Sequence, residues 1–197
     1  AEKYRTLVVI LLDGNLGQMM EPAELPPMKP AGANGRHRPE WALTAASGGR
    51  AKNIITSIYL VPENEEAFNR KLQEKYARIR ENEVRYAEYE TADAEYLVVG
   101  FGTSGRVAQT AVKQARAQGL KVGLLRPISL WPFPEQRLAE LAKQVHGVLV
   151  VEMNAGQMID DVLLAMGSNV PVQFYGRMGG MVPLPDEVLR EIEKMVS

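Results

Sequence analysis

The fold is decided by residues 96–126, YLVVGFGTSGRVAQTAVKQARAQGLKVGLLR. Tyr96 to Gly100 is a short, continuous apolar run of the kind found in strands covered on both faces. A glycine-rich turn follows, then a helical stretch from Gly105 to Gln118, with Gly119 as its C-terminal stop. Lys121 to Arg126 supplies a second strand. Together they make one strand–helix–strand unit, whose strands run parallel and are joined by a right-handed crossover.

Downstream the alternation continues. Trp131-Pro132-Phe133-Pro134 turns the chain into a helix from about Glu135 to Gln144, followed by a strand from Gly147 to Glu152, a helix from Gln157 to Met166, a strand from Val170 to Phe174 and a last helix from Pro185 to Val196. The expectation from about Asp93 onward is an α/β domain: three layers, with helices on both faces of an open, mostly parallel sheet.

Upstream the pattern is less regular. Pro62, Asn64, Glu65 and Glu66 form a helix start, and the helix is predicted to run to about Glu90. Its apolar residues Phe68, Leu72, Tyr76, Ile79, Val84 and Tyr86 give a narrow stripe, the pattern of a helix that bridges domains or subunits. Ile54 to Leu60 reads as a short extended segment. Residues 21–50 are crowded with proline and glycine and read as a connecting loop, carrying Arg36, His37, Arg38 and Trp41. Leu7 to Leu12 reads as a doubly buried strand, and Ala1 to Arg5 as the end of a helix, with Lys3 and Arg5 suiting the negative dipole end. A lone strand cannot bury itself, and only six residues precede it, so the expected division is 1–50 as the remnant of a second α/β domain with its connecting loop, 51–92 as extended segment and linker helix, and 93–197 as the main domain.

Composition narrows the function. The 197 residues are 46% hydrophobic and 24% charged, with a formal net charge of -1, so no global basic field exists to attract nucleic acid or an anionic membrane. The run Leu7 to Leu12 is far shorter than the roughly 20 residues a bilayer requires, and it lacks a small-residue cleavage site; a cytoplasmic location is the expectation. Cysteine is absent, which excludes disulfides, thiolate zinc sites, a cysteine nucleophile and thiolate-held iron–sulfur clusters on this chain. The two histidines, His37 and His146, lie far apart without a second ligand at metal-binding spacing, so no metal site is expected.

Gly100-Phe101-Gly102-Thr103-Ser104-Gly105 matches the G-x-G-x-x-G dinucleotide fingerprint in the right context, after a strand and opening a helix. The acid that should hold the ribose is missing, since no Asp or Glu occurs between Arg106 and Pro134. Arg126 at the end of the second strand leaves an NADP-binding, Rossmann-like reading open through a 2′-phosphate. The other reading is that small residues let the helix start close to the strand and leave N–H groups facing a neighbour or an anion. Three further stretches, DGNLGQMME (13–21), EMNAGQM (152–158) and YGRMGGMV (175–182), mix glycine, methionine and polar groups at strand ends, the edge where open α/β sheets carry function. Methionine suits surfaces that pack against a partner or an apolar ligand. The site candidates are therefore Asp13, Asn15, Gln18, Met19, Met20, Glu21, Gly102, Thr103, Ser104, Asn154, Gln157, Arg177 and Met178.

These stretches also carry a family resemblance. VVILLDGNLGQMMEP (8–22), LQEKYARIRENEVRY (72–86), YLVVGFGTSGRVAQTAV (96–112), VGLLRPISLWPFP (122–134), VVEMNAGQMIDDV (150–162) and FYGRMGGMVPLPDEV (174–188) closely resemble, in order, the alpha subunit of 2-oxoacid:ferredoxin oxidoreductases, most of all the branched-chain (2-oxoisovalerate) type. The resemblance implies a heteromeric enzyme that decarboxylates a 2-oxoacid on thiamine diphosphate with Mg, passes electrons through iron–sulfur clusters to ferredoxin and releases an acyl-CoA, with a beta subunit and an iron–sulfur subunit as partners. It also implies a transketolase C-terminal-like domain for residues 93–197, and a pyrimidine-type thiamine-binding domain of which this chain holds only the last strand and the loop Asp13 to Glu21. Asp13-Gly14-Asn15 shares part of the thiamine-diphosphate signature, but Leu12 stands where its first glycine belongs. The family's substrate-facing N-terminal motif and activating glutamate have no counterpart, so this piece is expected to bind no cofactor and to be inactive alone, its candidate residues serving subunit contacts or the active-site edge. A structural assembly domain without ligand is the remaining alternative.

Overall fold

Five strands form one sheet in the order β1-β3-β2-β4-β5 in a computed structural model, which describes residues 1–27, 40–43 and 47–197. The strands are β1 (Tyr86–Tyr89), β2 (Tyr96–Gly100), β3 (Val122–Pro127), β4 (Gly147–Glu152) and β5 (Val172–Gly176). β2 pairs in parallel with both β3 and β4, and β4 with β5, while β1 lies antiparallel to β3 at one edge. The helices are α1 (Pro62–Asn82), α2 (Gly102–Ala117), α3 (Glu135–Leu141), α4 (Met158–Met166) and α5 (Pro185–Val196).

The continuous apolar runs are explained by two cores. Side chains alternate across a strand, so Leu97, Val99, Leu125, Val148 and Val150 pack with Leu138, Leu141, Met158 and Val162 of α3 and α4. Val98, Val122, Leu124, Leu149 and Val151 face the other way, against Ala108, Ala111, Val112 and Ala115 of α2 and Val188 and Ile192 of α5. All six residues of β4 are buried, as a central strand covered twice requires. This is the predicted three-layer, mostly parallel sheet.

Two expectations are corrected. The linker helix ends at Asn82, not near Glu90, and the segment after it becomes strand β1. Pairing decides this: Tyr86 to Tyr89 ladder against Leu124 to Pro127, Ile128 and Ser129 donate to the Arg85 carbonyl, and the Arg85 amide donates to Ser129 Oγ. Glu88 is further tied to α3 by Arg137, and that guanidinium, with help from Thr91, holds the Glu88 carboxyl below its ordinary range. Tertiary hydrogen bonds thus override a helical continuation. Leu7 to Leu12 forms no strand, and its side chains are exposed; a strand exists only where another backbone completes its ladder, and none does so for these residues among the described ones. Ile54 to Leu60, read as an extended segment, pairs with no strand among the described residues, and Ile54, Ile55, Ile58 and Leu60 are exposed. His37, Arg36 and Arg38 lie outside the described residues.

The chain divides into two compact units, residues 1–19 with 75–197, and residues 20–74. In the first, residues 1–6 form a turn closed by Arg5 N–H to the Glu2 carbonyl and Thr6 N–H to the Ala1 carbonyl, the bond pattern that ends a helix. In the second, Arg50 and Asn53 both donate to the carbonyls of Glu40 and Ala42, and Tyr59 stacks on Phe68 at 5.0 Å.

Candidate functional site

The C-terminal ends of β2, β4 and β5 share one edge of the sheet, and α2, α4 and α5 begin there. Such helix starts present unpaired N–H groups and the positive end of the helix dipole, which makes them the usual seats of phosphate. Here each is met by a carboxylate of the chain itself.

At α2 the carboxylate is Asp13. Its Oδ1 accepts from Thr103 Oγ1 at 3.1 Å and from the Leu16 amide at 2.7 Å, and its Oδ2 accepts from the Thr103 amide at 3.4 Å. Burial alone would raise its pKa, but the donors from Leu16, Thr103 and Asn15 together outweigh it and hold the carboxyl below its ordinary value. Gly102 allows the approach: it sits at φ +55, and a Cβ there would be 3.3 Å from Asp13 Oδ2. Gly105 packs the helix onto the sheet, since a Cβ on it would lie 2.6 Å from the Gly100 carbonyl oxygen and 2.8 Å from Arg126 Cγ. The aliphatic stem of Arg126 therefore lies over Gly105.

At α4 the carboxylate is Glu152, the last residue of β4, which is wholly buried. It accepts from the Met158 amide at 2.9 Å, the Ile159 amide at 3.0 Å and the Gln157 amide at 3.3 Å, and from Asn154 Nδ2 at 3.0 Å. Asn154 Oδ1 in turn accepts from the Gly156 amide at 2.7 Å, so the Asn154 side chain is spent on shaping its own turn. At α5 the carboxylate is Glu187, which accepts from the Leu184 amide and from Tyr175 Oη, both at 3.0 Å, and pairs with Arg177 at 3.2 Å. The Leu184 donor, followed by Tyr175, lowers the Glu187 carboxyl, while burial and then Glu187 raise the Tyr175 phenol.

Beside the α2 and α4 caps lies a cleft of about 250 Å³ lined by Leu11, Leu12, Asp13, Phe101, Ser104, Met153 and Asn154. Among the predicted residues, Asp13, Gly102, Thr103, Ser104 and Asn154 come together at or beside it, with Thr103 and Ser104 buried. Gln157 contributes its amide to the Glu152 knot, and the Arg177 amide bonds the Glu152 carbonyl at 3.1 Å, which brings the β5 loop to the same edge. Met178 is exposed. Asn15 and Gln18 sit in and beside the single turn Leu16–Gln18 and do not line the cleft, while Met19 ends that turn, half exposed. Met20 and Glu21 belong to the second unit. Sequence reasoning missed Glu152 and Glu187 as caps, and Phe101 and Met153 as cleft walls; an acid five to seven residues ahead of three helical amides was the available signal for Glu152. No cluster of three or more His, Asp or Glu able to hold a metal occurs among the described residues, and no helix among them is long and apolar enough to cross a membrane.

Residues 94–188 match the family model described as Pyruvate:ferredoxin oxidoreductase core domain II. The sheet from β2 onward thus matches core domain II of that family. Around this core domain II the likeness extends over the whole chain: it is 47% identical over 199 residues to ketoisovalerate oxidoreductase subunit VorB of Methanothermobacter marburgensis, covering 100% of this chain and 54% of that protein. To 2-oxoglutarate synthase subunit KorA of the same organism it is 32% identical over 225 residues, covering 99% of this chain and 58% of that one. The chain thus spans little more than half the length of these curated relatives, which are oxidoreductase subunits. Among solved structures, 2-oxoglutarate:ferredoxin oxidoreductase from Magnetococcus marinus, with 2-oxoglutarate, coenzyme A and succinyl-CoA bound, shares the fold at a TM-score of 0.68 and 22% identity, over 80% of this chain and 30% of that one.

Proposed function

We propose that the chain is part of the alpha-type subunit of a thiamine-diphosphate-dependent 2-oxoacid:ferredoxin oxidoreductase that converts a branched-chain 2-oxoacid, 2-oxoisovalerate, to its acyl-CoA and reduces ferredoxin. The supporting observation is the 47% identity to a ketoisovalerate oxidoreductase subunit across every part of the chain, against 32% to a 2-oxoglutarate synthase subunit. In this reading the partners are a beta subunit and an iron–sulfur subunit, the setting is cytoplasmic, and the divisions 1–50, 51–92 and 93–197 correspond to a domain remnant, a linker and core domain II.

The described residues do not fit thiamine diphosphate and its Mg. Asp13, the acid of the partial signature, has its carboxylate committed to the Thr103 and Leu16 donors, and the chain has no cysteine to hold an iron–sulfur cluster; in this reading the cofactor and the clusters belong to other parts of the assembly. The role left to this chain is to wall and shape. Phe101, Met153, Leu11 and Leu12 give the cleft an apolar lining, and the three caps hold that wall rigid. Met19 and Met178, both exposed, suit a subunit contact.

The test is reconstitution of the full-length subunit with its partners, assaying CoA-dependent reduction of ferredoxin or a viologen dye by 2-oxoisovalerate, 2-oxoglutarate and pyruvate. Preference for 2-oxoisovalerate is expected; a complex that turns over none of the three sinks the proposal. Met19→Ala with Met178→Ala should weaken assembly. The NADP reading is opposed by Asp13, which already occupies the α2 start where a pyrophosphate would sit. A thermal-shift titration with NADP should leave the melting temperature of the chain unchanged, and a saturable rise would restore that reading.

A further inference from the structure

A second cleft lies in the first unit, away from the sheet edge. It has a volume of about 470 Å³ and is lined by Lys3, Tyr4, Arg5, Lys75, Arg78 and Asn82. Four of these six are cations, the other two carry hydroxyl and amide donors, and none is a carboxylate. In a chain whose formal net charge is -1, such a lining is not the average of the surface. It is assembled from two segments some seventy residues apart in sequence, one being the N-terminal turn, the other one face of α1, where positions 75, 78 and 82 follow helical spacing. Lys75 and Arg78, about one turn apart on that face, set like charges side by side, a mildly unfavourable arrangement that a bound anion would relieve.

One carboxylate, Glu83, is bonded to two of the lining residues. Glu83 accepts from Lys3 Nζ at 2.8 Å and from Tyr4 Oη at 2.9 Å, and Arg85 stands 3.5 Å from its other oxygen. It thereby holds Lys3 and Tyr4 in place at the rim. On the α1 side the lining's cations are Lys75 and Arg78. Arg5 is moreover set at φ +49, in the left-handed region that closes the turn, where glycine is the usual residue.

We propose that this cleft is a binding site for a phosphate-bearing small molecule, a phosphomonoester or diphosphate group being the part recognised. The chemistry favours that class over a carboxylate. Guanidinium and ammonium groups converging from two directions match the several oxygens and multiple charge of a phosphate, and the volume falls within the range of small-molecule sites. The site differs from the sheet edge in kind: there the helix starts are closed by Asp13, Glu152 and Glu187, whereas here no acid lines the walls. The inference does not depend on the oxidoreductase reading, because binding is measured directly.

The experiment is calorimetric titration of the 197-residue chain with inorganic pyrophosphate and, separately, with AMP, at about 50 mM and about 200 mM salt. Saturable one-to-one binding that weakens with salt is expected. Tighter binding of AMP than of pyrophosphate identifies an organic phosphoester as the natural occupant, and the reverse order a free diphosphate. Lys75→Ala with Arg78→Ala should lower affinity about tenfold or more, with an unchanged far-UV circular dichroism spectrum, while Lys143→Ala with Lys194→Ala, which removes the same charge elsewhere, should not. Arg78→Glu, which reverses one charge on an exposed helix face, serves as the second variant and should abolish binding. Absence of saturable binding of either probe up to about 10 mM, or equal affinity in the Lys75/Arg78 variant, overturns the proposal.

Discussion

Replacing Glu152 is the most severe test of how the sheet edge is built. The side chain is wholly buried and accepts from Met158, Ile159 and Asn154 at 2.9 to 3.0 Å, and more weakly from Gln157. Glu152→Leu fills much the same space and leaves those donors without an acceptor. At about 1–3 kcal/mol per orphaned buried donor, the three short bonds alone set a range of about 3–9 kcal/mol. Relaxation of the turn and entry of water from the adjacent cleft bring the expected loss to about 3–5 kcal/mol. In a domain of this size that lowers the melting temperature by about 12–20 °C. Glu152→Gln keeps one good acceptor oxygen but turns an amide NH₂ toward backbone N–H groups, so it should lose about 1–3 kcal/mol. Glu193→Gln, an exposed change on α5, should stay within about 0.5 kcal/mol. Urea unfolding followed by circular dichroism and tryptophan fluorescence measures all three. If Glu152→Leu unfolds within about 0.5 kcal/mol of the parent, the carboxylate does not organise the start of α4 and the account of this edge is wrong.

Two further outcomes are expected. Asp13 has a folded pKa below its ordinary value of 3.8, so its stabilisation is fully present above that value and is lost as pH falls through the lower folded pKa; Asp13→Asn should flatten that part of the acid limb in a pH series of unfolding midpoints, and an acid limb identical to the parent's would refute the latch. Gly105→Ala puts a methyl 2.6 Å from the Gly100 carbonyl oxygen and 2.8 Å from Arg126 Cγ, for a loss of about 1–3 kcal/mol. Adding Arg126→Ala should recover only part of it, because the carbonyl cannot move aside as a side chain can; full recovery would show that the helix does not sit as close to β2 as described.

The elements that sequence made legible are those whose pattern is dictated locally. The β2–α2–β3 unit and β4 declare themselves because a strand covered on both faces must be apolar without alternation, and Leu97, Val98 and Val99 with Val148 to Val151 are all buried as that requires. What escaped depends on partners. β1 is four residues, Tyr-Ala-Glu-Tyr, in a charged stretch continuous with a helix, and only the ladder to β3 makes it a strand. Leu7 to Leu12 has strand composition, yet no backbone pairs with it among the described residues. At the sheet edge, the gathering of Ser104 and Asn154 follows from loops at strand ends, which sequence can anticipate, whereas Asp13 joins them from a segment that forms no strand. The position of Glu152 beneath the amides of Gln157, Met158 and Ile159 follows from a turn folding back on itself, and the spacing from acid to helix start is its one local trace.

Asp13, Glu152 and Glu187 have a consequence for anyone who would repurpose this scaffold. Restoring the missing ribose-binding acid at the end of β3 would not produce a coenzyme receptor, because the vacancy such a ligand needs has been filled from within by tethered carboxylates at effectively permanent occupancy. Each would first have to be evicted, and each eviction loosens the very turn that gives the rim its shape. The domain is thus better engineered as a tile, mated edge to edge with another polypeptide that brings the chemistry, than as a vessel.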